Sequence, residues 1–148
     1  MSHNTKKMWC KIIYIRRNGG NYLMKLRGTV LDSGNAEELS DFYQNLLGWK
    51  KKVYHMDDKY IIVYSDKNET TSLVFQEIPN YKRLVWPSED EKQQPMAHLD
   101  FFVKMDELDK EIAYAISCGA RLADNQFSAE WTVMIDPAGH PFCLIVMH

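Results

Sequence analysis

His98 opens the stretch "HLDFFVK", in which apolar and polar residues alternate with the period of a strand lying on a core. Residues two apart on a strand share a face. His98, Asp100 and Phe102 therefore look one way, and Leu99, Phe101 and Val103 the other. If the second set is core, the first places an imidazole, a carboxylate and an aromatic ring side by side on an open face. Such a trio suits metal ligation, ligand recognition, or proton transfer with Asp100 as a weak general-base candidate should burial raise its pKa. A plainer reading stays open beside these. His98 then hydrogen-bonds Gln76 or Asp100 as an interior histidine, and Asp100 is salt-bridged or solvated.

The thiols say less. Cys10, Cys118 and Cys143 form an odd set without C-x-x-C spacing. That points to a reducing, cytoplasmic setting and to no disulfide framework. Cys143 lies in the apolar run "FCLIVM", where a thiol acts as a small hydrophobe, although a thiolate there would suit zinc. His140, in "DPAGHP", reads as a solvated turn residue. Trp86 stands in a polar stretch, "PNYKRLVWPSEDEKQQP", either as an anchor covering something or as core, and Trp131 carries the same two readings. No phosphate-cradling glycine loop and no nucleophile elbow occur.

The elements that must position these groups come as a pattern occurring twice. In "GTVLDSGNAEELSDFYQNLLGW" a strand precedes a helix. Asn35 and Glu38 form a capping-box pair, and Leu39, Phe42, Tyr43, Leu46 and Leu47 form one apolar stripe that ends at Gly48. In "HLDFFVKMDELDKEIAYAISCGA" Asp106 is the expected cap, Leu108, Ile112, Ala115 and Ile116 the stripe, and Gly119 the stop. Strand-like stretches follow each helix: "KKVYHM", "KYIIVYS" and "TSLVFQEI", then "ARLADNQF", "EWTVMID" and "FCLIVM". An offset of about seventy residues pairs Gly28 with His98, Gly48 with Gly119, Tyr60 with Trp131 and Gln76 with Cys143.

Each half thus reads β-α-β-β-β, with a first module at 24–79, a linker at 80–96 and a second module at 97–148. One helix covers one face of each sheet. The other face needs the other half, a second chain or a ligand. The same parity turns Val30, Asp32, Val74, Gln76, Cys143 and Ile145 toward that open face, and groups Trp131 with Val133 and Ile135.

Residues 1–23 read as an extension. "KIIYIRR" and "NYLMKLRG" around "NGG" suit an extra hairpin. Gly19-Gly20, three codons before Met24, alternatively suit a translated leader with Met24 as the start. Seven basic and no acidic residues precede Asp32. Without the density and aromatic interleaving of a groove binder, this does not make a nucleic-acid arm, and no nucleic-acid partner is expected. No run is long and apolar enough for a membrane span.

"GTVLDSGNAEELSDFYQNLLGW", "MAHLDFFVKMDELDKEIAYAISCGARL" and "WTVMIDPAGHPFCLIV" resemble the glyoxalase-like domain of the vicinal oxygen chelate superfamily, which includes glyoxalase I, bleomycin resistance proteins and extradiol dioxygenases. The resemblance implies an α+β fold, two tandem β-α-β-β-β modules forming a curled, barrel-like mixed sheet around a cavity, commonly in a homodimer. It also implies up to four metal ligands, carried onto Gly28, Gln76, His98 and Cys143. Gly28 has no side chain, Gln76 is a neutral donor, and Cys143 replaces the usual carboxylate, so the set His98, Gln76 and Cys143 is incomplete. The expected function is capture of a small aromatic or planar ligand by Gln76, Trp86, His98, Asp100, Phe102, Trp131 and Cys143, with no cofactor. The alternative is a glyoxalase-type lyase or isomerase using a divalent metal, Zn or Ni.

Overall fold

The structure, a computed structural model, describes residues 26–55, 59–66 and 68–147. The expected extension at 1–23, the start at Met24, Cys10 and the turn at 56–58 lie outside the described residues.

The first module runs β1 (Thr29–Ser33), α1 (Ala36–Leu47), β2 (Lys50–His55), β3 (Lys59–Ser65) and β4 (Asn68–Glu77). The second runs β5 (Leu99–Lys104), α2 (Leu108–Cys118), β6 (Arg121–Leu122), β7 (Trp131–Ile135) and β8 (Pro141–Met147). Among the described residues each makes a four-stranded sheet, ordered β1-β4-β3-β2 and β5-β8-β7-β6, and neither sheet closes or joins the other. The β1/β4 and β5/β8 pairs are parallel and the rest antiparallel. The fold is α+β with two tandem modules, as the repeat demands.

Local chemistry accounts for the helix ends. Asn35 Oδ1 accepts the Glu38 N–H at 3.1 Å, satisfying a donor that the helix itself leaves unpaired. Gly48 and Gly119 end the two helices at φ 63° and 118°, where a side chain would crowd the following carbonyl.

Three expectations fail locally. Asp106 does not cap α2. It lies inside a 3₁₀ turn, Met105–Glu107, whose own bond from the Leu108 N–H to the Met105 carbonyl closes the helix start. Ile116 is not core but 48% exposed, because only the Ala115 side of α2 is covered. "ARLADNQF" is not a full strand: β6 stops at Leu122, and the Gln126 side chain takes over the pairing. Its amide donates to the Ala123 and Val133 carbonyls at 2.9 Å and accepts the Val133 N–H at 2.8 Å.

The core is shared. Leu39, Phe42 and Tyr43 of α1 pack with Ile61, Val63 and Phe75 of their own sheet. They join Phe142, Leu144 and Met134 of the other sheet in one buried cluster. Phe42 and Phe142 meet across the modules at 6.1 Å, and Tyr43 stacks on Phe75 at 5.5 Å. The helices therefore face inward together, which leaves the opposite face of each sheet for something else.

Candidate functional site

On β5 the parity is as read. Leu99, Phe101 and Val103 join the shared core, and His98, Asp100 and Phe102 take the other side. Register supplies their neighbours: Asp100 lies opposite Cys143 and Phe102 opposite Ile145, while across β8 Cys143 lies opposite Val133 and Ile145 opposite Trp131. Two cross-strand rows result. One is polar at its edge (Asp100, Cys143, Val133); the other is apolar throughout (Phe102, Ile145, Trp131).

His98 Nε2 stands 3.3 Å from Asp100 Oδ1, with both side chains about half exposed. Of the two partners weighed for His98, Asp100 is therefore the one it meets. Cys143 is buried, and its Sγ lies with the His98 and Asp100 donor atoms in a group whose members are all within 4.8 Å of one another. Burial pushes the Cys143 thiol up to about 11, reinforced by the negative charge of Asp100 and a hydrogen bond to it. At neutral pH the thiol is thus protonated and donates to the carboxylate. Phe102 is 74% exposed.

Trp86 and Trp131 both border this face. Each packs, partly buried, against the second small cluster of Ala123, Val133, Ile135 and Cys143. Trp86 reaches it from the linker, where the Val85 N–H bonds to the Gln93 carbonyl at 3.0 Å. Phe127, which sequence reasoning passed over, meets the Trp86 ring edge-on at 6.1 Å. The indole Nε1 of Trp86 is buried without a hydrogen-bond partner among the described residues.

Gln76 lies on β4 of the first sheet, in register with Asp32 and Tyr60. Gly28 offers more than a missing side chain. A Cβ there would run into the carbonyl oxygen and hydroxyl of Ser72, whose Oγ donates to the Arg27 carbonyl at 2.7 Å.

Sequence reasoning also missed Asp136. Only 1% exposed, it accepts the Tyr43 hydroxyl at 3.0 Å and the N–H groups of Gly139 and His140 at 2.8 and 2.9 Å. Its other contact is His140 Nδ1, at 2.8 Å. His140 is accordingly no solvated turn residue: its side chain is 12% exposed, clamped between Asp136 and the Tyr81 hydroxyl. Burial, then the Asp136 charge, drives the Tyr43 hydroxyl well above its ordinary value, and the same two causes take Tyr81 to about 12. An aspartate followed at i+3 and i+4 by donors in a Gly-containing turn was the available signal.

The sequence matches the glyoxalase-like domain over residues 28–145. No curated protein matches. Among solved structures, the fosfomycin resistance protein FosX from Listeria monocytogenes, complexed with Mn(II) and sulfate ion, is similar at 12% identity and a TM-score of 0.61, covering 85% of this chain and 94% of its own. A hypothetical protein of S. aureus is similar at 19% identity and 0.56, covering 87% and 100%. A glyoxalase/bleomycin resistance protein from Albidiferax ferrireducens gives 15% and 0.52, covering 82% and 97%. Such identities speak for fold alone. Among the described residues, no helix is long and apolar enough to cross a membrane. The family match spans both modules, and the chain belongs to the glyoxalase-like domain family.

Proposed function

We propose that this protein captures a small aromatic or planar molecule on the open face of its second sheet, as a cytoplasmic homodimer. The observation that carries the reading is the apolar row Phe102, Ile145 and Trp131 lying beside the His98–Asp100 pair, with the Phe102 ring exposed. A flat ligand stacks on such a row and directs its polar edge to the imidazole and carboxylate. Val30 on the first sheet and Met147 on the second are also exposed on open faces. A second copy is the occupant that would complete their burial. The free thiols of Cys118 and Cys143 suit a reducing compartment. Neither a nucleic acid nor a membrane enters this reading.

A thermal-shift screen of aromatic compounds tests it. A ligand at a hundred times its Kd stabilises by about 2.7 kcal/mol. Phe102→Ala should leave the ligand-free melting temperature nearly unchanged, within about 0.5 kcal/mol for an exposed side chain. The same variant should weaken binding by roughly tenfold, the worth of one aromatic contact. Unchanged affinity in Phe102→Ala would move the ligand off this face.

FosX is complexed with Mn(II), a hard ion served by oxygen donors. The positions that the resemblance assigns here supply nothing at Gly28, a neutral amide at Gln76 on the other sheet, an imidazole at His98 and a thiol at Cys143. That set does not fit a hard-ion centre shared between modules. A second reading, a glyoxalase-type lyase or isomerase, is favoured by one observation, the gathering of His98, Asp100 and Cys143. Turnover of a hemithioacetal by the zinc- or nickel-loaded chain would support it, and its failure would leave capture as the activity.

A further inference from the structure

We propose that the second module alone holds a zinc-class divalent cation, through the Cys143 thiolate, His98 Nε2 and an Asp100 carboxylate oxygen, with a fourth position open to solvent. Asp100 here replaces Gln76, and nothing from the first module takes part. The inference goes beyond the groove reading and stands whether or not an aromatic molecule binds.

Backbone geometry brings the three donors together. His98 and Asp100 are two residues apart on one face at the start of β5, and the parallel register sets Asp100 opposite Cys143. All three donor atoms lie within 4.8 Å of one another, and the His98–Asp100 pair is already at 3.3 Å. Ligands bound to tetrahedral zinc at 2.0–2.3 Å stand about 3.3–3.8 Å apart. The widest pair therefore has to close by roughly 1 Å, within reach of side-chain rotation. Access is one-sided. Cys143 forms the floor, in the apolar cluster that Trp86 and Trp131 border, whereas His98 and Asp100 are half open to water.

Donor chemistry selects the ion. A sulfur, a nitrogen and an oxygen favour zinc over Mg, Ca or Mn, which prefer oxygen. On binding, the Cys143 S–H bond gives way to an S–Zn bond and the proton leaves to solvent, with no change of oxidation state. Three protein ligands with an open position is the arrangement that lets zinc meet a further oxygen, from water or from a ligand.

The test uses the full chain, stripped with chelator and kept reduced. Zn²⁺ is titrated against a chromophoric competitor, Mn²⁺ in parallel, and Co²⁺ is followed by its absorption. The expected result is one equivalent of zinc, weak Mn²⁺ binding, and a near-ultraviolet thiolate-to-cobalt band. Cys143→Ser should abolish the band. Loss of even an outer-shell partner costs 10–100-fold, so Cys143→Ser and His98→Ala should each weaken zinc by about 100-fold or more, and Asp100→Asn by about 10-fold or more. Gln76→Ala should change nothing. Three outcomes would overturn the proposal: less than one equivalent of zinc, a cobalt spectrum without the band or with a band surviving Cys143→Ser, or a Gln76→Ala loss matching that of His98→Ala. Circular dichroism confirms the folding of each variant, and the wild-type cobalt spectrum tests for the thiolate ligand without any substitution. Repeating the aromatic thermal-shift screen in chelator separates the failure of this site from the failure of the groove.

Discussion

Asp136 shows how much one side chain can decide. Two carboxylate oxygens, shut away from water, face donors from α1, the β7–β8 turn and His140. Removing that acceptor strands the Tyr43 hydroxyl and the His140 N–H, while the Gly139 N–H keeps the Asp136 main-chain carbonyl at 3.0 Å. Asp136→Ala should cost about 3 kcal/mol or more, read as a lower denaturation midpoint with an unchanged slope. The linked tyrosines set an alkaline limit. Tyr81 titrates at about 12 in the folded chain against 10.0 when unfolded, so the unfolded state loses its proton first. The stability it confers is complete below pH 10 and drains away as the pH climbs to about 12. Tyr81→Phe should flatten that limb of a plot of melting temperature against pH. The turn contacts of Asp136 left a local signal, but its bond to Tyr43 did not, since the two residues are 93 apart. By contrast, the common face of His98, Asp100 and Phe102 was legible, because a strand's two-residue period needs no tertiary knowledge.

Elements followed the sequence where their chemistry was self-contained. α1 carries its own cap, stripe and stop, and it formed where those residues stand. α2 lacks a capping side chain, so the 3₁₀ turn decided its start and the Asp106 reading failed. The β6 region failed for a related reason: an amide side chain imitates a strand's hydrogen bonds without a strand's alternation. Gln126→Ala should leave the Val133 N–H without that acceptor. The expected loss is about 1–3 kcal/mol, with faster hydrogen exchange at Val133 and Ala123 before any change at β8. The opposition of Asp100 and Cys143 was likewise out of reach of pattern alone. Parity gave the face of each strand, but only register could bring the two side chains into contact.

At the scale of the molecule, the two modules share one core. Phe42 touches Phe142, and a single buried cluster runs through both. Truncating Phe42 to Ala should cost about 3–5 kcal/mol. Circular dichroism and tryptophan emission should still report one coincident transition, although the tryptophans that border the second sheet, Trp86 and Trp131, lie outside the module that carries the substitution. Two separated transitions would show that the seam does not couple the halves. The duplicated plan was visible in the sequence because the helix stops and the order of elements recur. The seam was not, since a stripe says that a helix is covered but not by what.

The crowding at Gly28 limits what the first strand can carry. Ser72 presses a backbone carbonyl against that α-carbon, and no substitution at 72 can delete a main-chain atom. A liganding side chain at 28 would need the first and fourth strands held farther apart. The sheet edge would have to shift before such a donor could fit, so no single substitution at 28 installs one.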